Sequence, residues 1–111
     1  TALISGGDSG IGRAIAYSFA KEGANITIAY LDEHKDAEET RDRIEELGAR
    51  CVLLACDLRE EKEAQRAVDQ TINQFGSINV LVNNHGVQFV QNSILDITEQ
   101  QLEPMFMGFS F

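Results

Sequence analysis

Four short apolar runs are spaced along the chain and predict four β-strands. Each run is apolar at nearly every position, which is typical of strands that are covered on both faces, as in a parallel sheet. A strand with one face in water would instead alternate apolar and polar side chains. The four predicted strands are residues 2–5, 25–30, 51–56 and 79–82.

Amphipathic stretches separate these runs and predict three helices. In the third stretch, Ala64, Val68 and Ile72 recur at the four-residue spacing that places them on one helix face. A glycine follows each stretch, and glycine suits the left-handed turn at a helix end. The alternation of strand and helix predicts an α/β protein with a parallel sheet and right-handed crossovers. The three predicted helices are residues 11–22, 36–47 and 61–75.

The pattern changes after residue 83. Residues 84–97 show no regular period and are predicted to form a loop. Residues 98–101 have the spacing of a capping box, so a fourth helix is predicted to start near residue 99. Pro104 lies about five residues into that helix, where it removes a backbone hydrogen bond, so the helix is predicted to be short or kinked. The predicted order of elements is β-α-β-α-β-α-β-α.

Composition and charge narrow the classes of partner. The chain has 111 residues, of which 43% are hydrophobic, enough for one folded core. Nine basic residues stand against 18 acidic ones, a formal net charge of −9. An acidic surface repels phosphate backbones, so no nucleic-acid partner is expected. No apolar run approaches the roughly 18 residues of a membrane-spanning helix, so no membrane partner is expected either.

The two cysteines are predicted to be free thiols. Cys51 and Cys56 lie at the two ends of one predicted strand, roughly 16 Å apart at the usual rise per residue. A disulfide requires Cα atoms within about 7 Å of each other. Free thiols, together with the absence of a visible signal peptide, favour a cytoplasmic location. No cysteine or histidine cluster has zinc-ligand spacing, so no metal site is expected.

Gly6, Gly10 and Gly12 follow the first predicted strand and open the first predicted helix. Glycines there permit a tight turn and let backbone N–H groups approach a phosphate, while the helix N-terminus behind them favours negative charge. A strand, a glycine-rich turn and a helix in this order predict a pyrophosphate site at the start of a βαβ unit. The alternative is a tight turn that binds nothing. A Walker A loop is excluded because no Gly-Lys-Ser/Thr follows.

These glycines carry a family resemblance. Residues 5–16 have Gly-x-x-x-Gly-x-Gly spacing and resemble the cofactor loop of the short-chain dehydrogenase/reductase family. The tetrad Asn-Asn-His-Gly at 83–86 resembles the Asn-Asn-Ala-Gly of that family, and Asp57 stands in place at the end of the third strand. Residues 7–9 and 30–40 together resemble the subgroup of glucose/ribitol or general-stress dehydrogenases.

The resemblance implies a fold and an activity. It implies a Rossmann-like doubly wound parallel sheet, with this chain as the N-terminal portion of a larger sheet. Residues 1–111 would form one NAD(P)-binding domain that is incomplete at both ends. The intact protein would move a hydride between the nicotinamide of NAD(H) or NADP(H) and a small alcohol or carbonyl substrate. It would also form a homo-oligomer, a tetramer or a dimer.

The resemblance also assigns cofactor-binding positions along the chain. The phosphate turn and the ends of the second, third and fourth strands would together border the dinucleotide. Two of these residues have structural alternatives: Asp57 stands three residues before Glu60 and could cap the third helix, and Asn83 could tie neighbouring loops together. The implied cofactor-binding residues are Gly6, Ser9, Gly10, Ile11, Gly12, Tyr30, Asp32, Asp57, Leu58, Asn83 and Gly86.

The end of the second strand bears on the choice between NAD and NADP. That strand ends in Tyr30, and Asp32 follows two residues later. An acid at this place suits the free 2′-hydroxyl of the adenosine ribose, whereas a 2′-phosphate needs a basic group. Neither this strand end nor Ser9 of the phosphate turn supplies a lysine or an arginine. NAD(H) is therefore the expected cofactor, and NADP(H) is the alternative.

No catalytic residue is assigned within the chain. The family reaction needs a serine and a tyrosine followed four residues later by a lysine. Tyr17 and Lys21 have that spacing but lie on the first helix, directly behind the phosphate turn. Phe109 falls where the family places an asparagine. The chain alone is therefore expected to be inactive, and two alternatives stay open: a non-catalytic nucleotide-binding module and a degenerate structural relative.

Overall fold

The computed structural model describes residues 1–6, 10–84 and 105–108. The predicted strands and the first three predicted helices are confirmed to within two residues at each end. Within these residues, four strands and three helices alternate from β1 to β4, and a fifth strand, β5, lies further along the chain. In chain order the elements are β1 (Ala2–Ser5), α1 (Gly10–Lys21), β2 (Ile26–Tyr30), α2 (His34–Glu46), β3 (Cys51–Ala55), α3 (Glu61–Phe75), β4 (Val80–Asn83) and β5 (Met105–Gly108).

All five strands are parallel and lie in the order β3-β2-β1-β4-β5. The central strand β1 pairs with β2 on one side and with β4 on the other. Ser5 at the end of β1 therefore has Ala29 and Asn83 as its neighbours across the sheet. The chain runs outward from β1 in both directions, so the carboxyl ends of β1 and β4 form the switch point at which doubly wound sheets bind ligands.

Helices cover both faces of the sheet. Leu3 of β1 packs with Leu54 and Val68 on the face that α3 covers. Ile4, the next residue of β1, points to the opposite face and packs with Ile28 and Ile44 beneath α1 and α2. Adjacent residues of one strand are thus buried on opposite sides, which is why the strands are apolar at nearly every position. The prediction of a doubly wound parallel sheet is confirmed.

Residues 105–108 form a strand that the sequence analysis did not predict. These residues form β5, which pairs with β4 so that Val80 stands beside Met105 and Asn83 beside Gly108. Two physical reasons favour a strand: Pro104 cannot donate a helical hydrogen bond, and residues 105–107 are uniformly apolar, with no polar helix face. The predicted loop beyond residue 84 and the predicted helix start near residue 99 lie outside the described residues.

Two further predictions concern helix ends and membrane spans. Gly23, Gly48 and Gly76 all have positive φ angles, which confirms the predicted left-handed turns after the helices. At the end of α3, the N–H of Gly76 donates to the carbonyl of Ile72 at 2.7 Å. Within residues 1–6, 10–84 and 105–108, no helix is long and apolar enough to cross a membrane.

Candidate functional site

A cavity of about 220 Å³ opens at the carboxyl ends of the strands. It brings together four of the residues that the sequence assigned to cofactor binding, namely Tyr30, Asp57, Leu58 and Asn83. These residues come from three different strand ends that are far apart in sequence, so only the parallel sheet places them side by side. The cavity is lined by Ala29, Tyr30, Leu31, Cys56, Asp57, Leu58, Arg59 and Asn83.

The glycine turn lies beside this cavity, between β1 and α1. Gly6 and Gly10 have φ angles of 69° and 62°, in the left-handed region that favours glycine. Gly12, in the first turn of α1, faces the carbonyl of Gly6 so closely that a Cβ there would overlap the oxygen. The same Cβ would lie 3.0 Å from Nδ2 of Asn84. Ser9, between the two left-handed glycines, lies outside the described residues.

The end of β4 is tied to the end of β1 by hydrogen bonds. The backbone N–H of Asn84 donates to Oγ of Ser5 at 3.0 Å, and Nδ2 of Asn84 donates to the Gly6 carbonyl at 3.3 Å. Oγ of Ser5 also lies 3.2 Å from Oδ1 of Asn83. These contacts support the structural alternative for Asn83, which links neighbouring segments while it lines the cavity. Gly86 lies outside the described residues.

Asn84 makes contacts in the site, although it was not among the cofactor-binding residues predicted from the sequence. Its side chain joins the glycine turn to β4, and its Oδ1 atom is buried without a hydrogen-bond partner among the described residues. Burying an amide oxygen without a hydrogen-bond partner costs free energy. A ligand that donates a hydrogen bond to this oxygen would recover that cost. The tandem Asn83-Asn84 was the signal that could have found it.

Asp57 and Arg59 form a closed turn after β3. Oδ1 of Asp57 accepts from the backbone N–H and from Nε of Arg59, both at 2.9 Å, and Oδ2 accepts from Nη2 of Arg59 at 2.9 Å. The capping alternative for Asp57 is wrong, because α3 begins at Glu61 after Glu60 as its N-cap, with no side-chain capping bond. The Asp57 side chain instead holds the turn that precedes Glu60.

Arg59 was missed by the sequence analysis, which looked for a basic residue only in the glycine turn and after β2. It lines the cavity, and its side chain is 63% exposed. Hydrogen bonding and the negative charge of Asp57 raise the pKa of the Arg59 guanidinium, so it stays charged. The Asp-x-Arg spacing was the available signal, because an aspartate often accepts from the backbone N–H two residues on.

Tyr30 and Asp32 occupy different positions at the end of β2. Tyr30 is buried, lines the cavity, and its hydroxyl lies 2.8 Å from Nδ1 of His34. The two rings meet edge to face with centroids 5.3 Å apart. Asp32 is exposed and does not line the cavity, although Leu31, the residue before it, does.

Two large apolar side chains within residues 1–6 and 10–84 are exposed, and both border the site. Ile11 lies in the first turn of α1 and is 47% exposed, while Leu31 follows β2, lines the cavity and is 49% exposed. Apolar side chains left open beside a concave polar site are typical of a surface that a ligand covers. Of these two residues, Ile11 was predicted from the sequence to bind the cofactor, and Leu31 was not.

The thiol of Cys56 lines the cavity but is not a nucleophile. Burial raises the pKa of Cys56 to about 11 and that of Cys51 to about 12. A thiol with so high a pKa carries almost no thiolate near neutral pH, and the thiolate is the reactive form. Both cysteines are free, as predicted.

The Tyr17–Lys21 pair takes no part in the site. Tyr17 packs partly buried against the apolar cluster beneath α1 and α2, and Lys21 is exposed in the last turn of α1. Neither residue lines the cavity. The Tyr17–Lys21 pair is therefore not placed to exchange a proton with a ligand in this cavity.

Comparison with known proteins decides the family. The family model described as short chain dehydrogenase matches residues 1–107. The chain belongs to the short-chain dehydrogenase family. A solved short-chain dehydrogenase from Burkholderia cenocepacia, in complex with NADP, has the same fold, with a TM-score of 0.90 and 25% identity. The match covers 96% of this chain and 53% of that one.

Curated relatives within the short-chain dehydrogenase family agree with the predicted subgroup. The uncharacterized oxidoreductase YhdF of Bacillus subtilis is 56% identical over 105 residues, and general stress protein 39 of the same organism is 52% identical over 105 residues. The glucose and ribitol dehydrogenase of Daucus carota is 40% identical over 111 residues. Each match covers 95% of this chain but only 36%, 37% and 38% of the respective relative.

Proposed function

We propose that this chain forms the dinucleotide-binding part of an NAD(P)-dependent oxidoreductase. In the intact protein, hydride would pass between the cofactor and a small alcohol or carbonyl substrate. The observation that carries the proposal is the cavity at the switch point, which lies beside a glycine turn whose Gly12 approaches Gly6 too closely for any side chain. A glycine-rich turn at the N-terminus of a 12-residue helix is suited to a pyrophosphate.

The residues at the strand ends fit a dinucleotide piece by piece. The turn at Gly6, Ser9 and Gly10 and the first helical residues Ile11 and Gly12 would hold the pyrophosphate. A cavity of about 220 Å³ with Leu31 and Leu58 in its wall suits a flat aromatic base such as adenine.

Asp57 and Asn83 also line this cavity and would supply polar contacts to the adenosine. Gly86 is proposed to lie beside the riboses. When bound, the nicotinamide ring would supply the hydride carrier.

We propose NAD(H) as the preferred cofactor. The support is the exposed carboxylate of Asp32 just beyond β2, where an acid favours a free 2′-hydroxyl and repels a 2′-phosphate. The NADP complex of the Burkholderia relative supports the alternative cofactor. Calorimetric titration of the 111-residue chain with NAD and with NADP compares the two; tighter binding of NADP would overturn this preference.

The chain alone is proposed to bind its cofactor without turning over a substrate. Tyr17 and Lys21 lie on α1 away from the cavity, so the chain's only Tyr-x-x-x-Lys pair has no access to a bound ligand. A cytoplasmic location, supported by the two free cysteines, and a homo-oligomer of the intact protein complete the proposal.

Calorimetric titration with NAD is the direct test of binding. We expect one saturable site per chain and no change in absorbance at 340 nm when alcohols or sugars are added with NAD. A folded chain, verified by circular dichroism, that binds neither NAD nor NADP would overturn the cofactor proposal. Turnover by the 111-residue chain would overturn the proposal that it binds without catalysis.

A further inference from the structure

Arg59 holds a guanidinium group at the wall of the cavity. Of the described residues that line this cavity, it is the only one with a positive charge. It directly follows Leu58, which also lines the cavity. An arginine at this place faces the same ligand that Leu58 and Asp57 are proposed to contact.

The Asp57 carboxylate fixes the orientation of that guanidinium. Nε and Nη2 of Arg59 each donate to one carboxylate oxygen at 2.9 Å, and the backbone N–H of Arg59 adds a third bond at 2.9 Å. A bidentate pair holds the planar group in one orientation, and this lowers the entropy that a second ligand must remove. Arg59 is therefore a preorganised cation.

The pair leaves part of the guanidinium unused. An arginine side chain has five N–H donors, and Asp57 takes two of them. Within the part of the chain that the structure describes, no other group accepts a hydrogen bond from the Arg59 side chain. The free donors include one N–H from each terminal nitrogen, which together form a second fork suited to a phosphate.

We infer that Arg59 is the residue through which this site admits a phosphate on the adenosine 2′-oxygen. The inference rests on the proposed dinucleotide site. Asp32 lies just beyond β2 and outside the cavity, whereas Arg59 lines the β3 side of the cavity and, among the described lining residues, is the one that offers a cationic fork to a 2′-phosphate. Arg59 is thus a specificity-determining residue: it raises the affinity for NADP and so brings it closer to the affinity for NAD.

Adenosine ligands test this assignment without involving the nicotinamide end. We compare 5′-AMP with adenosine 2′,5′-bisphosphate, which differ only in the 2′-phosphate, on the 111-residue chain by calorimetry. In Arg59→Gln we expect the affinity for the bisphosphate to fall about tenfold, as for the loss of a charge-assisted hydrogen-bonded pair, and the affinity for 5′-AMP to stay within about twofold.

The matched control is Arg43→Gln. Arg43 lies on α2, is 55% exposed and pairs with Glu46, so the variant changes the net charge equally but away from the cavity. We expect both affinities of Arg43→Gln to match the parent chain. Because both arginines are exposed, circular dichroism is expected to show the same folded spectrum for all three chains.

Each result distinguishes the inference from the proposal beneath it. If the parent chain binds 5′-AMP but Arg59→Gln leaves the ratio of the two affinities unchanged, the inference is overturned and the dinucleotide site stands. An equal loss of affinity for the bisphosphate in Arg43→Gln would also overturn the inference, because it would show a general effect of net charge. If the folded parent chain binds neither ligand, the proposed function is overturned and the inference with it.

Discussion

Gly12 and Gly6 are in direct contact: the Cα of Gly12 lies against the carbonyl oxygen of Gly6, and no side chain fits between them. The contact brings the first turn of α1 onto the end of β1. It also fixes the direction in which the N-terminal N–H groups of α1 point, since both elements are rigid and packed into the sheet. The geometry of the proposed phosphate site therefore depends on one missing Cβ atom.

Gly12→Ala is expected to weaken both stability and ligand binding. The added Cβ would force α1 away from Gly6, at a cost of about 1–3 kcal/mol in the free energy of unfolding, as for overpacking elsewhere. We expect urea denaturation to show this loss and NAD titration to show at least tenfold weaker binding.

The control for Gly12→Ala is Gly48→Asn, at a left-handed position with open space around it. Asparagine tolerates this backbone conformation better than most residues, so a smaller loss of stability and unchanged binding are expected. Equal effects of the two variants on NAD binding would contradict the role of the Gly12 contact.

Removal of the Ser5 hydroxyl is expected to loosen the end of β4. Ser5 is buried, and its Oγ accepts the backbone N–H of Asn84. Ser5→Ala leaves that N–H without its acceptor, which costs about 1–3 kcal/mol when the group stays buried. Urea denaturation measures the loss. Ser5→Thr keeps the hydroxyl and is expected to retain most of the stability; an equal loss in both variants would assign the effect to packing.

Arg13 joins α1 to α2, and its removal is expected to destabilise the chain. Nε of Arg13 donates to Oγ1 of Thr40 at 2.8 Å, and Nη2 donates to the carbonyl of Asp36 at 2.9 Å. Arg13→Met keeps much of the aliphatic packing and removes these bonds, for an expected loss of about 1–2 kcal/mol in denaturant unfolding.

The control for Arg13→Met is Arg41→Met. Arg41 pairs with Asp42 and Glu45 on the exposed side of α2, where ion pairs contribute little. We expect a change within about 0.5 kcal/mol. If the two variants lose the same stability, the bonds between α1 and α2 are not the cause.

The buried thiols predict a loss of stability at alkaline pH. Burial raises the pKa of Cys51 to about 12 and that of Cys56 to about 11, from an ordinary value of 9.0. The folded state therefore holds the thiol protons more tightly than the unfolded state does. This contribution to stability is complete below about pH 9 and falls as the pH rises toward 11–12.

Denaturant unfolding at pH 7 and at pH 10 measures that loss. Tyrosines and lysines also titrate in this range, so the comparison is with the Cys51→Ala, Cys56→Ala double variant. Its stability is expected to fall less between the two pH values than that of the parent chain. An identical fall in both chains would contradict the assignment to the thiols.

The sequence was sufficient for the strands, the first three helices and the parallel sheet, because these follow from local periodicity. Continuous apolar runs indicate burial on both faces, and Leu3 and Ile4 of β1 are indeed buried on opposite sides of the sheet. The position of the glycine turn could also be predicted, because the glycines stand between a predicted strand and a predicted helix.

Three features depended on contacts that sequence spacing does not encode. The strand at 105–108 pairs with β4 across the sheet, whereas the capping-box spacing at 98–101 is a local signal that favours a helix. The bond between Ser5 and Asn84 joins residues 79 positions apart. A basic residue was expected only in the glycine turn or after β2. Arg59 lies in the loop after β3, which the parallel sheet brings to the same cavity.

The central position of β1 has a consequence for how the chain folds. β1 is synthesised before the two strands that flank it, yet its second edge is filled only by β4, so Ser5 is paired with Asn83 only after the chain has grown by 78 residues. Until then one edge of β1 stays open to water and to other chains, and pairing over such distances is slow. We therefore expect a nascent chain that stops before β4 to aggregate, and residues 1–79 to need protection while they are synthesised.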